Sequence, residues 1–429
     1  MESEQKHSVG MYMLGVTALF HNFCFWGVVS FFPLYLTGEY QYSEGDASQA
    51  YCVFLGTATA LPLLGGYVSF YLRRYSISIL LGFLFVVLGC LMLSLNTESL
   101  LLLSLAFVSL GYGVFWPSVL ALLGTSYGSR ESLRDEGFTI FYAVSTGGVL
   151  LTQTLSSLIV EAHGWTPLYL TLAVAGLLGI ASFILSYRNY RTIDSATAQL
   201  ISNPDNPAHN PLTTADRNRI TAILILTVFS IVFWMGCTQM GSSVVFFAKN
   251  FVNRRLLTVD VPPTVFLSFF ALSVVILGPV MAALWRFLRK RKVQISAPRL
   301  MAISLTLLAL SFAVICMAEM DLVLAGSKRL VNPIYLTGFY FLQACAVIIM
   351  GPIGFAFVTK WAPNGWIGRL TGLWYFGIGL GSLLGGYANN VVPNVMSPLY
   401  NYELWFLLLF CAAVGLFSMN HYIMKMLRH

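Results

Sequence analysis

Charge in this chain is confined to the outside or the ends of about twelve long apolar runs, and that constrains the fold more than any other feature. All 24 Lys and Arg and all 17 Asp and Glu obey the rule, in a chain that is 57% hydrophobic and 10% charged. Crossing the roughly 30 Å of hydrocarbon in a bilayer takes about 20 apolar residues in a helix. Only helices or closed barrels satisfy every backbone group there. The runs are continuously apolar rather than alternating, so they predict helices. The expected spans are 10–36, 47–72, 76–95, 99–125, 138–161, 165–187, 219–249, 263–288, 297–318, 332–359, 365–389 and 402–425. The first is too long to be a cleaved signal peptide.

Basic residues orient these spans. With a cytoplasmic N-terminus, 19 of the 24 cations fall inside, leaving Lys249, Arg254, Arg255, Lys328 and Arg329 outside. Both termini are therefore expected in the cytoplasm, in a plasma or bacterial inner membrane. The net charge of +7 reflects this asymmetry and headgroup contact, not nucleic-acid binding. The seven cysteines lie in spans without CxxC spacing, which predicts buried small hydrophobes rather than disulfides or metal ligands. No GxSxG, Walker or HExxH sequence occurs, so neither an enzyme nor a built-in ATP motor is expected, and no cofactor.

The stretch 188–218, rich in Asn-Pro, Asp and Ser, divides six spans from six and predicts a cytoplasmic linker between bundles at 1–187 and 219–429. The halves echo each other. Pro117 precedes Arg134 by 17 residues and Gly137 by 20, and Pro352 stands in the same relation to Arg369 and Gly372. Pro62 and Pro279 head a second matching pair of segments. Two such pairs in order point to an internal repeat, and hence to an all-α membrane protein of twelve transmembrane helices in two six-helix bundles, the major facilitator fold.

The segment GYGVFWPSVLALLGTSYGSRESLRDEGFTIFY, with PLLGGY at 62–67, FWMGCTQMGSS at 233–243 and MGPIGFAFVTKWAP at 350–363, resembles the proton-dependent oligopeptide transporter family. The resemblance covers about 17–390. It implies an alternating-access carrier of small molecules, with protons as a candidate co-substrate. Departures concentrate at the family's charged positions. Where the first helix of the family carries a glutamate-rich ExxERFxYYG motif, this chain reads ALFHNFCFWG at 18–27. Trp116 stands for a lysine, Thr238 for an acid, Val347 for a glutamate and Thr146 for an asparagine, while Phe70 and Tyr71 replace the acid after the second helix. A zwitterion entering an uncharged cavity gives up its hydration for weak compensation.

Polar residues left inside spans are expected to face the bundle interior or a cavity. His21 takes an acid's place in the motif and can titrate near neutrality, so it is the candidate for proton coupling, the alternative being a neutral imidazole bonded to Asn22 or a neighbouring helix. Thr238, Gln239, Ser242, Ser243, Gln343 and Gln153 are candidates for binding, or for interhelical bonding. Phe25, Trp26, Tyr51, Trp116, Tyr142 and Trp374 are candidates for an aromatic lining, beside Asn22 and Thr146. Arg134 and Arg369 are expected at a cytoplasmic gate. The leading expectation is a monomeric carrier of a small neutral or aromatic solute. The alternatives are a peptide or amino-acid importer, and a non-transporting sensor or scaffold.

Overall fold

The computed structural model describes residues 7–72, 74–127, 131–195, 212–256, 259–263, 265–324, 330–363, 366–391 and 402–427. Each apolar run folds as helix because a backbone out of reach of water must bond within its own segment. The helices are α1 (Val9–Glu39), α2 (Glu44–Ala60), α3 (Pro62–Leu72), α4 (Tyr75–Leu93), α5 (Glu98–Tyr127), α6 (Glu131–His163) and α7 (Trp165–Ser186) in the first half. The second half holds α8 (Thr214–Cys237), α9 (Ser243–Phe251), α10 (Val265–Lys290), α11 (Ala297–Leu324), α12 (Ile334–Trp361), α13 (Ile367–Val391) and α14 (Tyr402–Met426). Among the described residues, eleven spans are long and apolar enough to cross a membrane. The twelfth expected span is α13, whose glycines and Asn389–Asn390 dilute its apolarity.

Local chemistry sets the boundaries. Ser8 and Ser43 accept from the amides of Met11 and Asp46 to start α1 and α2, and Thr213 with Asp216 forms a reciprocal capping box on α8. The second span breaks at Leu61, because Pro62 has no amide to continue the ladder. Its sequence counterpart Pro279 sits inside an unbroken α10, so the repeat does not impose equal bends. The seventh span breaks instead at a 3₁₀ turn, Thr238–Gly241, between α8 and α9. One departure from an all-helical chain is a short antiparallel pair, Arg255–Leu256 with Val259–Asp260.

Within the first half α4 packs on α5, and α1 on α6 and α7; within the second, α11 packs on α12 and α14. The halves meet through α6 against α10, and through α2 and α3 against α13. Close approach at the second seam depends on glycine. A Cβ on Gly379 would lie 2.4 Å from the Gly56 carbonyl oxygen, and one on Gly372 would lie 2.8 Å from the Leu63 Cα.

The linker region departs from expectation at its start, and 196–211 lie outside the described residues. Rather than leaving the first half at 187, the chain stays docked on it to 195. The buried Tyr190 stacks on Phe183 and donates to the Gly10 carbonyl at 2.9 Å. Asp194, also buried, accepts from the Tyr75 and Ser76 amides at 2.9 and 3.3 Å and from the Ser76 hydroxyl at 2.6 Å. It thereby caps α4, whose own N-cap, Arg74, makes no such bond.

Candidate substrate cavity and gates

A cavity of about 110 Å³ lies where the two halves face each other. About 10–15 Å³ suffices for one water, so several small groups fit. From the first half it is lined by Asn22, Trp26, Tyr51, Tyr112, Trp116, Tyr142, Thr146 and Gln153, among others. The second half contributes Trp234, Thr238, Val347, Tyr375 and Ser382. No Asp, Glu, Lys, Arg or His lines it among the described residues. The wall is aromatic, with Tyr112 5.9 Å from Trp116 and reaching edge-on to Tyr375 across the halves at 6.2 Å.

Of the residues singled out from sequence, Asn22, Trp26, Tyr51, Trp116, Tyr142, Thr146 and Thr238 are brought together here, with Gln153. Asn22 donates to the Ser145 carbonyl at 3.0 Å, and Thr238 to Trp234 at 2.7 Å and to Ser382 at 3.0 Å.

Seven others, His21, Phe25, Gln239, Ser242, Ser243, Gln343 and Trp374, stand off the cavity. His21 is fully buried, its ring stacked on Phe115 at 3.8 Å with Phe83 edge-on at 5.5 Å and the Gly111 backbone of α5 beside it. Of the two partners expected for a neutral imidazole, Asn22 bonds elsewhere, and the neighbouring helix α5 is the one that approaches, through the Gly111 backbone. Phe25 lies behind Trp26 and Tyr112. The Gln239 amide donates to the Met235 and Gly385 carbonyls at 3.2 and 3.1 Å, and its oxygen accepts from Ser243 at 3.1 Å, so this side chain ties the seventh span to α13. Ser242 donates back to Thr238 at 3.3 Å. Gln343 is fully buried with no partner on either amide atom. Trp374 fills the space over Gly354, where a Cβ would lie 2.2 Å from its ring.

The cytoplasmic end is tied shut. The Arg134 guanidinium donates to the Gly124 carbonyl on α5 at 3.0 Å and to the Thr359 carbonyl on α12 at 3.3 Å. Gly124 lies seven residues after Pro117 and Thr359 seven after Pro352, so one arginine joins repeat-equivalent carbonyls of the two halves. Arg369 lies over the Trp366 ring at 5.1 Å and the Tyr67 ring of α3 at 6.0 Å. A third bridge was not singled out from sequence. Glu136 of α6, 3% exposed, meets Arg286 of α10 at 2.5 Å, with His7 at 3.5 Å. The one sequence signal for it is a carboxylate two residues after the gate arginine. Outside, Glu44 meets Lys249 at 2.9 Å and Asn250 at 3.0 Å, again across the halves. Side-chain bridges thus join the two halves at both ends.

The family model described as the POT family matches residues 76–206 and 202–404. Dipeptide and tripeptide permease B of Photorhabdus asymbiotica is 23% identical, over 90% of this chain and 88% of that protein. The crystal structure of peptide transporter POT in complex with sulfate shares the fold at a TM-score of 0.79 and 20% identity, covering 99% of this chain and 97% of that one. A second similar structure, with a TM-score of 0.68, 17% identity and 97% coverage of both chains, is described as tetrameric PepTSo2, so the monomer expected from sequence does not follow from the fold. With matches over most of its length, this multi-pass integral membrane protein is a transporter rather than an enzyme, and it belongs to the POT family.

Proposed function

We propose that the chain carries short peptides by alternating access and recognises them through amide groups and side chains rather than charged termini. The observation that supports this is a set of four buried atoms on cavity-lining residues with no protein partner. Two are acceptors, Asn22 Oδ1 and Gln153 Oε1; two are donors, the indole N–H groups of Trp116 and Trp234. Each such group left unsatisfied costs about 1–3 kcal/mol. A peptide backbone offers N–H and C=O in equal number, so it complements two acceptors and two donors. The lack of lining charge disfavours an ion-pair clamp on a terminus.

The expectation of a neutral aromatic solute gives way to peptide cargo, which the names of the relatives favour. The moving bodies are the two six-helix bundles, the first carrying the docked Tyr190 and Asp194 with it and the second starting at Thr214. Protons that accompany the peptide bind away from the cavity, and the buried Glu136 of the cytoplasmic bridge is the carboxylate placed to take one. Counterflow of a labelled dipeptide in proteoliposomes tests the reading. Flux lowered by Trp116→Phe and by Asn22→Ala supports it. No flux with any peptide would favour a sensor or scaffold.

A further inference from the structure

A second cavity, of about 670 Å³, opens at the cytoplasmic level between the start of α11 and the ends of α12 and α14. Three cationic side chains line it, Arg299, Lys360 and Lys425, beside the His421 imidazole, and no Asp or Glu does among the described residues. Arg299, His421 and Lys425 enter no ion pair among the described residues. Ser296 donates to the Asn420 oxygen at 2.5 Å, which leaves the Asn420 amide as a further donor on this wall. Such a concentration of positive charge in one concavity calls for an anion.

The lining also has an apolar part, with Leu300, Ile353, Phe357 and Met424. Further along the same two helices, α11 and α14 expose Ile303, Leu310, Val414 and Phe417, each by more than 40%, as lipid-facing surfaces. A free anion would use only the basic side. A molecule with a phosphate at one end and acyl chains at the other would use both, and the inner leaflet supplies it at the right depth.

We propose that this cavity is a binding site for an anionic phospholipid, its phosphate held by Arg299, Lys360, His421 and Lys425 and an acyl chain lying along Phe357 and Met424. The site is separate from the transport cavity and does not depend on the identity of the cargo.

The test uses the full chain purified in neutral detergent. Native mass spectrometry and melting temperature would be read against phosphatidylglycerol, phosphatidylcholine and inorganic phosphate. Phosphatidylglycerol is expected to bind and to raise the melting temperature, while the other two do neither. Arg299→Gln with Lys425→Gln should weaken phosphatidylglycerol binding about 25-fold, at roughly fivefold per basic side chain near the surface. The charge-keeping pair Arg299→Lys and Lys425→Arg should retain it, which separates loss of the site from loss of the fold. Equal stabilisation by inorganic phosphate, equal binding of phosphatidylcholine, or unchanged binding in the glutamine variant would overturn the proposal.

Discussion

Replacing Arg286 by Gln removes the cation that holds the buried Glu136 across the cytoplasmic seam at 2.5 Å. The carboxylate is 3% exposed and the guanidinium 50%, so the pair is neither fully screened nor fully desolvated. A charge-assisted hydrogen bond in that setting is worth about 2 kcal/mol, between exposed pairs at under 1 and buried pairs at 3–5. The bond exists only while the cytoplasmic ends are together, so its loss acts on the closed-to-open ratio. Two kcal/mol shifts that ratio about thirtyfold. Spin labels on the cytoplasmic ends of α5 and α12 report the two populations by their distance distribution. Arg286→Gln is expected to move most molecules to the longer distance. Glu136→Gln should do the same, and the double variant should go little further, because both remove one interaction. An unchanged distribution in Arg286→Gln, or full additivity in the double variant, would refute the latch.

Four further predictions follow from other contacts. Glu136→Gln, beyond releasing the latch, should abolish the acceleration of dipeptide counterflow by an imposed proton gradient; retained acceleration would place the proton elsewhere. His21→Phe keeps the stack on Phe115 and removes an imidazole that does not line the cavity, so the pH profile of uptake should hold, and a flattened profile would restore His21 to the coupling path. Gly379→Ala puts a methyl 2.4 Å from the Gly56 carbonyl oxygen and should slow transport by wedging α2 from α13, with wild-type rates contradicting that packing. Asp194→Ala strips α4 of its cap and should lower stability by about 1 kcal/mol while leaving peptide affinity unchanged.

Much of the architecture was legible because the bilayer leaves few alternatives. Apolar runs bounded by charge read directly as spans, and the predicted second span at 47–72 is observed from Glu44 to Leu72, broken where Pro62 stands. The cavity was legible in part. Trp116 and Thr146 carry the family's charged and amide positions, and both line it. Rotation about a helix axis is what sequence does not disclose: His21 and Asn22 are neighbours, yet Asn22 lines the cavity and His21 turns into the α4–α5 packing. Gln239 shows a second limit, since its polar atoms bond to α13 residues 146 positions away or to its own helical turn. Glu136 shows a third. Its charge at a span end reads as ordinary, and only the fold brings Arg286 against it.

The most direct test of the central claim compares a dipeptide with its N-acetylated, C-amidated form in proteoliposomes, by competition for the same labelled peptide. Recognition through amides in an uncharged cavity predicts that the blocked form competes at least as well as the free one, because it brings no terminal charge to desolvate. A blocked form that fails to compete, beside a free dipeptide that does, would mean that charged termini are held after all and would contradict the account.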